Sequence, residues 1–398
     1  MIDIKGRKMI NNIKLRIFIT VLSILACSLE FNAQTKDPLY YEASANSSLV
    51  SNSSNSIDNS RKTAITETVK KVSPAVVGIN VTEIQQYASP FSSFFNDPFF
   101  QQFFGNQGTY DQKVKELGSG FLISPDGYIV TNDHVAGNAS EITVTLTNGK
   151  EYKAKLIGTD HATDICLLKI EGHNLPYVTL GNSDGVMIGE WVIAFGNPFG
   201  LFNVNDKPTV TVGVVSSTGM NLEPLHNRYY LNMLQTDAAI NGGNSGGPLA
   251  NSLGEVIGMN TLIYTADGVQ GNIGLGFAIP INRIKKVITE LKKYGKIDRN
   301  FSIGLKIQTV DEGIAKYYKL PSARGVIVTE VIPNSPADMA GIKSGDIILQ
   351  VNDYKIIDDQ TLVGVFKQFR SGQTITLKIL RNDKEISKQM ILEKTVND

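Results

Sequence analysis

The chain has 398 residues, enough for two or three domains, each with a core of its own. Its 38 Lys and Arg balance 38 Asp and Glu, so the formal net charge is zero and no basic excess is available for a phosphate backbone, which argues against a nucleic-acid partner. Two cysteines, Cys27 and Cys166, cannot build a disulfide framework.

Lys5, Arg7, Lys8, Lys14 and Arg16 precede the apolar run 17–29, which is short for a membrane span and has the form of a signal-peptide core. Export is expected, with residues 1–33 as signal peptide or signal anchor and cleavage after Ala33. Two alternatives are an uncleaved membrane tether through residues 17–29 and lipidation at the box Ile24-Leu25-Ala26-Cys27. Residues 34–61 are rich in Ser and Asn and poor in large apolar side chains, the composition of an unfolded linker. A short helix is predicted over Ile65–Val72 and a first strand over Ala75–Ile79. Residues 91–104 then hold seven of the seventeen phenylalanines without strand alternation, which reads either as an exposed contact loop or as a local core beneath a long loop.

From Leu117 to Asn260 the pattern is all β. Alternating runs are separated by turns such as Ser124-Pro125-Asp126-Gly127 and Thr147-Asn148-Gly149-Lys150, the latter joining a predicted hairpin of Ile142–Leu146 and Tyr152–Ala154. Further strands are predicted at Asp164–Ile170, Trp191–Ala194, Val210–Val215 and Val256–Asn260, and no helix is evident before Ile284–Tyr294. Such spacing predicts a sandwich or barrel. Cys166, between Ile165 and Leu167, reads as a small buried hydrophobe.

Within this β region, Asp237-Ala238-Ala239-Ile240-Asn241-Gly242-Gly243-Asn244-Ser245-Gly246-Gly247-Pro248-Leu249 crowds glycines on both sides of one serine. Glycines there let backbone N–H groups converge on a reacting oxygen while the Ser245 hydroxyl stays accessible. The same string fits the nucleophile elbow of α/β-hydrolases, but that elbow needs a histidine downstream. His134, His161, His173 and His226 all precede Ser245, so the base lies upstream. The β pattern favours the chain order His-Asp-Ser. His134 at the end of a predicted strand supplies a base, and Asp164 at the start of another supplies the carboxylate that orients it. Each is weak alone, since an aspartate at a strand start is commonly a turn acceptor.

Together the segments Thr131-Asn132-Asp133-His134-Val135, Thr163-Asp164-Ile165-Cys166-Leu167-Leu168 and Gly243-Asn244-Ser245-Gly246-Gly247-Pro248-Leu249 resemble the three signatures of the HtrA/Deg family of trypsin-fold serine proteases. Gln235–Asn241 and Gly274–Pro280 resemble it as well, and the likeness covers roughly residues 62–398. It implies a mainly β fold, a chymotrypsin/trypsin-like double β-barrel protease domain over 62–297 followed by one α+β PDZ domain over 298–398. The catalytic residues it implies are His134, Asp164 and Ser245, with the N–H groups of Gly243 and Ser245 as oxyanion hole. Ala239, six residues before the serine, stands where an aspartate would select basic side chains. With Ile240, Ala278 and Ile279 it implies a small apolar pocket. No metal or cofactor is implied. Asp133 departs from the usual Asn or Ala and sets a second carboxylate beside the base, which would raise the pKa of the base.

The PDZ resemblance rests on Ser302-Ile303-Gly304-Leu305, Gly325–Val328, Asn334–Gly341, Gly345-Asp346-Ile347-Ile348, a helix over Gln360–Phe369 and a strand over Thr374–Leu380. It implies capture of hydrophobic C-terminal peptides, their carboxylate held at Ile303, Gly304 and Leu305. The whole implies an exported endopeptidase of the periplasm or cell envelope that acts on unfolded or misfolded proteins, assembled as a homotrimer or higher oligomer. The Phe-rich loop would make the subunit contact. DegS-like members of the family carry a relay arginine within the segment matched by Thr218-Gly219-Met220; here Met220 occupies the place, and Arg228 is the nearest substitute. The alternative class is a chaperone-like or scaffold protein that binds clients without cleaving them.

Overall fold

The computed structural model describes residues 39–42, 62–84, 113–197, 207–263 and 273–394. The expected signal segment and the Phe-rich stretch lie outside them. Strand β1 (Tyr41–Glu42) falls inside the span expected as a linker and pairs in parallel with β8 (Thr179–Leu180). Two apolar residues in the polar stretch account for this, since Leu39 and Tyr40 pack against the largest apolar core.

Helix α1 (Ala64–Val72) begins at a reciprocal cap. The Thr66 N–H donates to Thr63 Oγ1 (3.3 Å) and the Thr63 N–H donates to Thr66 Oγ1 (2.9 Å), which satisfies two donors that a helix start leaves free. The next strands close a first barrel in the order β2-β3-β4-β7-β6-β5. They are β2 (Val76–Ile84), β3 (Lys113–Leu122), β4 (Tyr128–Thr131), β5 (Glu141–Leu146), β6 (Glu151–Asp160) and β7 (Ile165–Ile170), with the one-turn helix α2 (Asp133–Ala136) between β4 and β5. The predicted hairpin is β5 paired with β6, Val144 opposite Tyr152. β6 runs six residues past its predicted end because Leu156, Ile157 and Gly158 break the alternation, at a register irregularity in the pairing with β7 between Leu156 and Gly158. In β7, Ile165, Cys166, Leu167 and Leu168 are all buried, a run apolar on both faces because one face fills the barrel and the other meets a later helix.

The second barrel comprises β9 (Trp191–Gly196), β10 (Thr209–Met220), β11 (Met233–Thr236), β12 (Pro248–Asn251), β13 (Glu255–Ile263) and β14 (Gly276–Pro280). The ring closes through pairing of β13 with β14. Helix α3 (Ile281–Tyr294) then buries Ile284, Val287, Ile288 and Leu291 against the first barrel. It ends at Gly295 (φ +71°), whose N–H returns to Leu291 O at 2.8 Å. A Cβ on Gly158 of β6 would meet Gly295 O at 2.4 Å, so the close approach of helix and barrel requires glycine there.

The last region is a separate sheet in the order β15-β16-β17-β19-β20, with β18 (Tyr354–Lys355) on β17. Its elements are β15 (Leu305–Thr309), α4 (Glu312–Tyr317), β16 (Val326–Val331), α5 (Pro336–Met339), β17 (Ile347–Val351), α6 (Asp359–Phe366), β19 (Thr374–Arg381) and β20 (Lys384–Ile391). Val326, Ile348, Leu362, Val365, Leu377 and Ile379 form its core. β15 is an end strand whose other edge lies beside α6, tied there by Thr309 Oγ1 donating to Asp359 Oδ1 at 2.9 Å. Among the described residues no helix is long and apolar enough to cross a membrane.

Candidate active site

Three chain segments bring the predicted residues to the seam between the barrels. His134 is not at a strand end as expected but on α2, one turn after β4. Asp164 does not open β7 but is the corner before it, in the left-handed region (φ 59°, ψ 41°) after the 3-10 turn His161–Thr163. That corner reverses the chain between β6 and β7 and turns the carboxylate inward, a backbone state aspartate tolerates better than most residues. The His134 backbone N–H donates to Asp164 Oδ1 at 3.0 Å, and His134 Nδ1 lies 2.8 Å from Oδ2 and 3.0 Å from Oδ1. With Nδ1 as donor, the free ring nitrogen is Nε2, the one a hydroxyl proton would enter.

Around the fully buried Asp164 the sequence reading missed four partners. Thr261 Oγ1 donates to Oδ2 at 2.8 Å, Asn132 Nδ2 at 3.2 Å and Tyr230 OH at 3.2 Å, while Arg228 Nε lies 3.3 Å from Oδ1. Burial alone would raise the Asp164 pKa. The charge and hydrogen bond of His134, with the Arg228 guanidinium, more than offset it and hold the carboxyl below its ordinary range. Burial and the Asp164 charge push the Tyr230 phenol far up, so it stays a donor. Asn132 lies in a segment that the sequence singles out, and Arg228 is singled out there only as a substitute for the relay arginine, while Thr261 and Tyr230 lie far off in sequence with no local signal.

Asp133 does not act on the base as an uncompensated second carboxylate. Its Oδ2 accepts from Arg228 Nη2 at 2.7 Å and lies 2.9 Å from His161 Nδ1, and its Oδ1 accepts from Thr159 Oγ1. Cys166 is buried as expected, and burial with the nearby Asp133 charge pushes its thiol well up and leaves it inert.

The serine lies across the seam on the loop before β12. Ser119 of β3 holds that loop from beneath: its N–H donates to Ser245 O at 2.9 Å and its hydroxyl donates to Gly243 O. Gly246 (φ +85°) must be glycine, because a Cβ would stand 2.1 Å from Ser119 O. Asn244 N–H donates to Asn241 O at 3.0 Å, so the peptide between Gly243 and Asn244 is fixed at both ends. Among the described residues the N–H groups of Gly243 and Ser245 have no acceptor. The Ser245 hydroxyl donates to Thr261 O at 3.2 Å, and no hydrogen bond joins it to His134 among the described residues.

Of the predicted pocket residues, Ala239 is half-buried and its carbonyl accepts from Thr211 Oγ1 at 2.8 Å. Ile240 and Ala278 are buried in one apolar cluster. Ile279, next along β14 and so on its opposite face, packs in the cluster that includes α3. In the last sheet Ile303 O accepts from Ala337 N–H (3.1 Å) and Gly304 O from Ile332 N–H (2.9 Å), which leaves the loop's N–H groups turned the other way at the head of β15. Gly304 has φ +73°, and a Cβ there would meet Ser335 Cβ at 2.1 Å. Among the described residues no group of three or more His, Cys, Asp or Glu is placed to hold a metal ion.

Comparison with known proteins agrees with this layout. Residues 118–259 match the family described as trypsin-like peptidase domain and residues 302–391 the PDZ domain. A probable periplasmic serine endoprotease DegP-like of Marinomonas sp. is 43% identical over 348 residues, 84% of this chain and 72% of the relative. Its namesake in Chlamydia pneumoniae is 44% identical over 303 residues, 75% of this chain and 60% of the relative. The structure of the HtrA-type protease AlgW with decapeptide is 34% identical with a TM-score of 0.61, covering 84% of this chain and 99% of that one.

Proposed function

The chain belongs to the DegP-like, HtrA-type family of trypsin-like serine endoproteases with a PDZ domain, and from that premise we propose how its own residues perform and control peptide hydrolysis. Ser245 is the nucleophile, His134 the general base and then acid, and Asp164 the carboxylate that fixes the imidazole and stabilises its charged form. The observation that carries this reading is the two-oxygen contact of Asp164 with His134 Nδ1, opposite the glycine-rich Ser245 loop. In the reaction the Ser245 hydroxyl leaves the Thr261 carbonyl, gives its proton to His134 Nε2 and attacks the peptide carbonyl. The oxyanion so formed is held by the N–H groups of Gly243 and Ser245. Substrates are unfolded or misfolded proteins. With Ala239 at its base and Ile240 and Ala278 as walls, and Ile279 turned away into the core beside α3, the primary pocket takes Val, Ala or Ile, and cleavage after Lys or Arg at most sites would refute it. Ser245→Ala tests the whole assignment: casein cleavage should fall by several orders of magnitude in a folded protein.

The name of the relatives and the basic-apolar N-terminus support an exported protein of the periplasm or cell envelope. The domains are taken as 62–297 and 298–398. A homotrimer built on the protease domains is the assembly proposed, and a monodisperse monomer by light scattering at micromolar concentration would exclude it.

The PDZ region adds a peptide strand to the edge of β15, its terminal carboxylate facing Ile303, Gly304 and Leu305. Occupancy reaches the protease through the segment before β11. Tyr229 packs on Gly364 of α6, the helix that borders that edge, and Leu231 joins the PDZ core. Arg299 Nη2 also holds Asp160 Oδ2 at 2.6 Å, and Arg370 Nε holds Glu290 at 2.7 Å, which fasten the two regions. A peptide shifts the site only by binding one arrangement better than the other. The natural bistable elements are the loop 218–229 and the peptide unit between Gly242 and Gly243, which lacks the double tie of its successor among the described residues. Peptidase rates with and without hydrophobic C-terminal peptides, on the full chain and on a truncation after Gly295, test this. Indifference of the intact chain, at the truncated rate, would overturn it.

A further inference from the structure

Arg228 is buried to 2% exposure, and the three-residue chemistry gives it no task. A buried guanidinium demands opposite charge, and this one has two carboxylates. Its Nη2 and Nε donate to Asp133 Oδ2 at 2.7 and 3.2 Å, and Nε lies 3.3 Å from Asp164 Oδ1. Asp133 directly precedes His134 on α2, so the same cation holds both the residue beside the base and the residue that orients it. A leucine or methionine in its place would fill the volume but leave two buried carboxylates without their cation, so the guanidinium is there for its charge and not for packing alone.

We propose that Arg228 and Asp133 form a charge-balancing pair that positions Asp164 and sets the protonation of His134, with Arg228 as a positioning residue. The inference rests on the Ser245, His134, Asp164 reading above. The groups facing His134 and its acid are few: Asp164 from the corner before β7, Asp133 on its own helix, Arg228 and Tyr230 from the segment before β11, His161 of the 3-10 turn and the Cys166 thiol of β7. Tyr230 and Cys166 are held neutral by burial. Arg228 and Asp133 therefore enter with opposite signs. The guanidinium opposes the imidazolium and Asp133 favours it, so with the half-exposed His161 neutral the pair leaves the net charge near the base at that of Asp164 alone. The geometry adds a mechanical part, since Arg228 reaches Asp133 with Nη2 and both carboxylates with Nε, a reach the single ammonium of lysine lacks.

The test is the acid limb of the pH dependence of kcat/KM on a peptide substrate, measured on the full-length protein. Asp133→Asn removes a negative charge and should move the limb to lower pH. Arg228→Gln should move it to higher pH by about half a unit or more, with about a tenfold or larger loss of kcat. The double variant Asp133→Asn with Arg228→Gln should return the limb to near the wild-type position. Arg228→Lys should keep the limb but not the full kcat. A structural role alone would lower activity in both single variants without shifts of opposite sign. If Arg228→Gln does not fold, Asp133→Asn carries the test through the sign of its shift. An unmoved limb in Asp133→Asn, or shifts of the same sign in both single variants, overturns the proposal. Failure of the underlying reading is separate: a wild-type protein whose Ser245 is not labelled by a fluorophosphonate lacks the triad itself, and the inference falls with it.

Discussion

The two ends of the active site are held in different ways. At the acid end Asp164 is fully buried, with donors from Thr261, Asn132, Tyr230 and the His134 backbone and a cation beside it. At the serine end the loop is held by its backbone, through Ser119 and the turn at Asn244, while the reacting hydroxyl rests on the Thr261 carbonyl away from the base. A buried carboxylate must be satisfied at all times or it becomes costly, so its contacts are redundant. A nucleophile has to change partner during the reaction, so its contacts are few. Thr261 joins the two, its side chain serving the acid and its carbonyl the serine.

Breaking the serine end outright has the largest effect. Ser245→Ala should remove peptidase activity by several orders of magnitude with the melting temperature nearly unchanged, because the hydroxyl makes one weak contact. A large drop in melting temperature would show that the serine end is not the loosely held one.

Breaking the acid end costs both activity and stability. Asp164→Asn should lower kcat by about 10⁴, since the amide holds the wrong imidazole tautomer. The pH dependence has a definite sign. The folded pKa of Asp164 is depressed, so its contribution to stability is fully present above the ordinary carboxylate value of about 4 and is lost as pH falls through the lower folded value. Melting curves should show the wild type losing stability faster than Asp164→Asn over that acid range. Parallel curves would contradict the charge network around Asp164.

The link between the ends is sharpened by Thr261→Val, which removes one of several donors to Asp164 Oδ2 while leaving the carbonyl that holds Ser245. The expected cost is about 1–2 kcal/mol in kcat/KM, roughly tenfold, far below that of Asp164→Asn because Asn132 and Tyr230 remain. Kinetics equal to Asp164→Asn would mean the contacts are not redundant. The smallest effect is expected at the exposed Lys306 of β15, 2.7 Å from Glu330. Lys306→Ala should change stability by less than about 1 kcal/mol in a melting experiment.

The sequence made much of this legible where chemistry is local. Turn residues and alternation marked the barrel strands, and glycine crowding marked Ser245. Histidine order removed the elbow reading. What it hid was set by contacts distant in sequence. Arg228 shows in the sequence only as a substitute for the relay arginine and Tyr230 as an ordinary loop residue, and only the fold brings them 64 and 66 positions back to Asp164. The end of β6 is hidden because a register irregularity at Leu156–Gly158 interrupts the alternation, and the place of Asp164 before β7 is hidden because the left-handed corner of a non-glycine residue leaves no mark in composition. Asp133 shows the same limit: its place beside the base was visible, its cation was not.

The most direct test of the central claim is fluorophosphonate labelling of the full-length protein, with the modified peptide identified by mass spectrometry. The account predicts a single phosphonylated residue, Ser245, with labelling lost in His134→Ala although that variant keeps the serine. A label on any other residue, or a Ser245 that labels as fast in His134→Ala as in the wild type, would contradict it.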